Sequence, residues 1–180
     1  MSQVLRQRVR SRARDAVAGG GLLLAVLLLA GCSAALDWRQ IQPDGWSLVA
    51  ALPCKPATQQ RQVALAGQKV VMTMLACSAD AHTFALASAE LGDPAQVQPV
   101  LLALGQAARM NLQGRVQAEQ PANVPGMTPS PAALRWRLLG QLPSGQAAAE
   151  QVQVFAHGTR VFQAAVIGAQ ADESLPGFSR

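Results

Sequence analysis

Asp93-Pro94-Ala95-Gln96-Val97-Gln98-Pro99-Val100-Leu101-Leu102-Ala103-Leu104-Gly105-Gln106-Ala107-Ala108-Arg109-Met110-Asn111-Leu112-Gln113-Gly114 is the best helical stretch of this 180-residue chain. Asp93 can cap a first turn, and Pro94 can occupy that turn, where a missing N–H costs nothing. Val97, Val100, Leu101, Leu104, Ala108 and Leu112 follow at helical spacing, and Gly114 is placed to stop the helix. Pro99 is expected to delay the regular part of the helix to its own position. On both sides of this stretch the apolar period falls to two.

Toward the N-terminus, alternation predicts strands over 83–89, 70–76 and 61–65, the last two joined by the short connection Ala66-Gly67-Gln68. Before them, Pro43-Asp44-Gly45 makes a turn, and a strand over 46–52 ends at Pro53-Cys54-Lys55-Pro56. Toward the C-terminus, strands are expected over 115–119, 133–141, 147–156 and 160–167, with turns at Pro143-Ser144-Gly145 and His157-Gly158. Residues 169–180 read as weakly helical. The pattern predicts an α+β fold: an antiparallel β-sheet of about six to eight strands, with a central amphipathic helix and a short C-terminal helix packed on it. Residues 46–180 suffice for one such domain.

The start of the chain is built differently. Arg6, Arg8, Arg10, Arg12 and Arg14 precede an uninterrupted apolar run, 22–30, which closes on Leu29-Ala30-Gly31-Cys32. This order resembles the signal peptide of a bacterial lipoprotein. The resemblance implies removal of residues 1–31, acylation of the Cys32 thiol, and a membrane anchor facing the periplasm, joined to the domain by a tether over 32–45. Ser33, and not aspartate, after that cysteine resembles the pattern for sorting to the outer membrane. The alternative is an uncleaved stretch, 16–36, just long enough to cross the inner membrane as a single helix.

Formal net charge is +5 for the whole chain, but residues 1–31 hold five arginines and one aspartate. Residues 32–180 therefore carry only +1, and their charges are scattered, Arg135 and Arg137 being the closest basic pair. The basic balance belongs to the export segment and gives no reason to expect a nucleic-acid partner.

Gly45-Trp46-Ser47-Leu48-Val49-Ala50-Ala51-Leu52-Pro53-Cys54-Lys55-Pro56 resembles the opening strand of small PsbP or Mog1-like domains, in which an apolar strand runs into a proline-bounded corner. The similarity extends through the early strands, the helix near 94–113 and the strand at 160–167. Domains of this family are mostly accessory or uncharacterised envelope proteins, so the resemblance implies no reaction.

With Cys32 acylated, Cys54 and Cys77 form an even pair in an oxidising compartment and are expected either to bridge or to remain two buried thiols. No Cys-x-x-Cys spacing suggests redox chemistry. His82 and His157 sit beside turns, and no Gly-x-Ser-x-Gly elbow accompanies them, so no catalytic residue is assigned. Met72 and Met74 on one strand face, with Cys77 and His82 following, could hold cuprous copper, but the same pattern is that of a buried strand, and neither a metal nor a cofactor is assigned. The proline-rich stretch 121–131 is the best candidate for a partner contact, its plainer reading being a surface connection. The sequence thus predicts a membrane-anchored envelope lipoprotein with a non-enzymatic binding or assembly role toward an unknown envelope protein or ligand. A small periplasmic enzyme or metal-handling protein, in which His82 or His157 meets Cys77, Asp80 or a serine, is the alternative.

Overall fold

A computed structural model describes residues 36–169. The expected signal peptide over 1–31, Cys32 and nearly all of the expected C-terminal helix lie outside the described residues. Nine strands and one α-helix follow in the order β1 (Arg39–Ile41), β2 (Ala50–Leu52), β3 (Ala57–Leu65), β4 (Gln68–Ala79), β5 (His82–Glu90), α1 (Val97–Asn111), β6 (Arg115–Pro121), β7 (Leu134–Gln141), β8 (Ala147–His157) and β9 (Arg160–Ala169). Strands β3 to β9 form one seven-stranded antiparallel sheet, and β1 pairs with β2 in a separate ribbon. The fold is α+β, with a strand count inside the expected range.

The spatial order is β3-β4-β5-β9-β8-β7-β6. Two meanders, β3 to β5 and β6 to β9, therefore meet along β5 and β9. Helix α1 carries the chain from the middle of the sheet to its far edge, crossing one face. Two left-handed residues turn each of the first two hairpins, Ala66 and Gly67 in one, Asp80 and Ala81 in the other. That conformation matches the twist of paired strands.

Asp93 and Pro94 open the helix as expected, but Pro99 does not delay its regular part, which begins two residues earlier. Asp93 Oδ1 accepts from the Ala95 N–H at 2.9 Å, Pro94 opens a single 3-10 turn, and regular α-helix starts at Val97. Pro99 therefore lies in the first α-turn, where no intrahelical bond asks for its N–H. The far end differs from expectation. Gln113, not Gly114, takes the left-handed conformation, at φ 47°. The Gly114 N–H donates to the Arg109 carbonyl and the Gln113 N–H to the Met110 carbonyl, the paired bonds of a Schellman cap. Space demands a glycine at Gly140 instead, where a Cβ would lie 2.2 Å from the Leu112 carbonyl oxygen and 2.9 Å from the Gly114 Cα, whereas a Cβ on Gly114 would meet nothing nearer than 3.4 Å.

The strand expected over 46–52 is the main correction. Only Ala50–Leu52 is a strand, and it pairs with Arg39–Ile41, residues expected to belong to a tether. The Trp46 N–H closes the Pro43 turn at 3.0 Å, and Trp46 turns inward, edge-on to Phe162 with centroids 5.5 Å apart. The sheet face beneath presents Leu75, Phe84, Leu86, Phe162 and Val166, all buried. Cover for that apolar area is worth more than the four further residues of strand.

Candidate binding surface

Side chains alternate across the sheet, so each cross-strand row belongs to one face. On the helix face lie Val70, Ala89, Trp136, Leu138, Val152, Val154, Val161 and Ala165, packed with Val100, Leu101, Leu104 and Ala108 of α1. Gly105 brings the helix down onto the Trp136 ring, since a Cβ there would meet the indole at 2.4 Å. The Trp136 Nε1–H donates to Glu119 at 2.6 Å, and Arg109 stacks over the indole at 5.2 Å while its Nη2 lies 3.6 Å from Glu119.

Glu150 also lies on this face. It sits between Leu138 and Ile167 in register and is 5% exposed. Burial pushes its carboxyl up to about 7, because the charged form loses its hydration.

The opposite face is divided. Over β4, β5 and β9 it is apolar and covered by Trp46, Leu52 and half-buried Ile41, Leu48 and Ala50. Over β6 and the middle of β7 and β8 it is polar. One row runs Gln120, Arg135, Gln153 and the next Ala118, Arg137, Gln151. Arg135 Nη2 donates to Gln120 Oε1 at 2.6 Å, and Arg137 Nε donates to Gln117 Oε1 at 2.9 Å. An open concavity of about 220 Å³ is lined by Ala118, Gln120, Arg135, Trp136, Arg137 and Gln151. Two arginines whose Cα atoms stand about 7 Å apart along one strand face suit a carboxylate, a phosphate or the carbonyls of an extended peptide. This shelf is the candidate site that the sequence reading passed over. Its signal was present, since Arg-Trp-Arg inside an alternating strand places the tryptophan in the core and both arginines together on the other side.

The other candidates separate. Cys54, just beyond β2, and Cys77, inside β4, form a disulfide with Cα atoms 6.0 Å apart. The bridge ties the end of the β1–β2 ribbon to the sheet, although Cys77 lies within its strand and not at the end of one. Met72 packs on the helix side, Met74 shares its alternation, and Cys77 faces the opposite side. The soft-ligand set is thus split by the sheet, and among the described residues no three His, Cys, Asp or Glu side chains group as a metal site.

His82 starts β5, with Nδ1 2.6 Å from the Asp80 carbonyl and its ring 6.2 Å from Phe84. His157 ends β8, and its Nδ1 lies 2.9 Å from Ser47 Oγ on the surface. Because β5 and β9 pair over their full lengths, the two histidines stand at opposite ends of the sheet, roughly 25 Å apart.

The proline-rich stretch is pinned to the domain. The Thr128 N–H donates to the Ala156 carbonyl at 2.7 Å, and Thr128 Oγ1 accepts from the Gly158 N–H at 2.8 Å. Val124 and Met127 pack on the divided face. The stretch serves as a cover for the sheet.

The chain matches no protein-family model and no curated protein, so the likeness to PsbP or Mog1-like domains rests on the residues quoted for it.

Proposed function

We propose that this chain is a lipoprotein of the bacterial envelope, held by acylated Cys32 on the periplasmic side of a membrane, the outer one by the residue at Ser33, and acting by binding a partner. The bridge between Cys54 and Cys77 is the observation that carries the reading. It uses two of three cysteines, as in an oxidising compartment, and leaves as the odd one the cysteine that closes the apolar run. The arginine shelf is the proposed contact, its ligand an anionic group on an envelope protein or small molecule. PsbP or Mog1-like accessory domains would act in the same non-catalytic way.

Intact mass of the protein from host membranes, beside a Cys32→Ala variant, tests the anchor. Residues 32–180 plus acyl chains is the expected result. An unprocessed chain of 180 residues, identical in the variant, would favour the single-pass helix.

The enzymatic alternative has one contact in its favour, Ser47 Oγ against His157 Nδ1 at 2.9 Å. A nucleophile and base so placed could attack an ester. Turnover of a simple aryl ester, abolished by both Ser47→Ala and His157→Ala, would establish it.

A further inference from the structure

The ribbon of β1 and β2 has an inward and an outward side. Ile41, Ala50 and Leu52 face the sheet. Trp38 and Val49 are each 55% exposed and Leu36 is 36% exposed, with exposed Ala51 and its cross-strand partner Gln40, the one polar residue among them, on the same alternation. The Trp38 indole is held in place, edge-on to Phe84 with centroids 6.4 Å apart, and the Asp37 N–H donates to the Pro53 carbonyl at 2.8 Å. This is a fixed apolar face, and the end of the domain that bears it is the end nearest Cys32 in the chain. Leu36 lies four positions after Cys32, and Trp38 six. Fully extended chain covers at most about 3.6 Å per residue, so these positions lie within about 14 and 22 Å of Cys32. Both reaches are shorter than the roughly 30 Å hydrocarbon core of a bilayer.

We propose that Leu36, Trp38, Val49 and Ala51 form a lipid-facing surface that rests in the headgroup region of the membrane bearing the Cys32 anchor, with the Trp38 indole as its interfacial contact. The proposal builds on acylation of Cys32. Indole has an apolar body and a polar N–H and favours the membrane–water boundary. A short tether makes the contact intramolecular, so that a small patch suffices. The charges beside it nearly cancel. Arg39 Nε donates to Asp37 at 2.9 Å, and Asp44 and Lys55 are of opposite sign. Contact is therefore apolar and does not need anionic lipid.

The experiment uses the acylated full-length product, purified from host membranes and reconstituted into phosphatidylcholine vesicles containing a lipid spin-labelled near its headgroup. Flotation with the vesicles reports the anchor, and tryptophan quenching reports the face. Trp46 and Trp136 are buried, so quenching of up to one-third of the emission from three tryptophans is expected. Trp38→Phe removes it without affecting flotation, Val49→Glu reduces it, and added phosphatidylglycerol or salt leaves it unchanged. A floating protein that is not quenched, or is quenched equally as Trp38→Phe, overturns the lipid-facing surface while leaving the anchor intact. A protein that does not float and carries no acyl mass on Cys32 overturns both.

Discussion

The two faces of the large sheet are covered by different means. On one, α1 lies across the strands as part of the crossover from β5 to β6, so its cover is delivered by the same connection that completes the sheet. On the other, the cover is a terminal segment that makes only a three-residue ribbon of its own and is tied down by Trp46 and the Cys54–Cys77 bridge. Only half of that second face is apolar. Over β6 and the middle of β7 and β8 the pattern changes to arginine and glutamine, and among the described residues the cover of residues 36–52 does not extend over that shelf. A face packed by a crossover is closed to ligands, whereas one covered by a terminal segment can be left partly bare for recognition.

Phe162→Ala gives the sharpest break in this comparison. Phe162 is fully buried, stacks on Phe155 with centroids 5.2 Å apart and receives the edge of Trp46. A loss of about 3–5 kcal/mol is expected in chemical unfolding, and a loss under about 1 kcal/mol would mean that the terminal segment does not seal this face. Reduction of Cys54–Cys77 is expected to cost about 3 kcal/mol in the chain-entropy treatment of a loop whose ends are 23 positions apart. Hydrogen exchange should then rise first at β1, β2 and Pro53-adjacent amides while α1 stays protected. Uniform loss of protection would show that the two covers fold as one.

Glu150 provides a probe of the helix face that depends on pH. Its folded carboxyl titrates near 7 against an ordinary 4.5, so the folded protein binds the extra proton between those values. Stability is full below about pH 4.5 and falls as pH rises through 7, by about 3 kcal/mol in total. Glu150→Gln should therefore be about 3 kcal/mol more stable than the parent at pH 8 and nearly equal to it at pH 4, measured by urea unfolding. Equal stability at both pH values would place the carboxylate in water. The smallest effect is expected at the shelf. Arg135→Ala with Arg137→Ala should change stability by less than about 1 kcal/mol, because such rim contacts are wet, yet remove any salt-sensitive binding of an anionic partner measured by calorimetry. Unchanged binding would move the contact elsewhere.

Much of this architecture could be read from residue order. Alternation located every strand of the seven-stranded sheet within four residues at either end, and Asp93-Pro94 located the helix start. Arg-Trp-Arg and Glu150 were equally legible, since strand period alone assigns them to faces. Treating the charges as scattered missed them, because scatter in sequence becomes a pair on a pleated surface. Trp46 was misread for the opposite reason: its stretch alternates like a strand, but the uncovered aromatics of a sheet assembled from residues far along the chain compete for it.

Sequence by itself determined the element types, the hairpin turns and the split between a basic first 31 residues and a nearly neutral remainder, because propensity, turn chemistry and charge are local properties. Tertiary structure decided that β5 pairs with β9, that Cys54 reaches Cys77, that Ser47 meets His157 and that the Met72, Cys77 and His82 set falls on two sides of a sheet. Those outcomes depend on pairing across long separations, where burial of apolar area over the whole sheet outweighs any preference a short stretch carries.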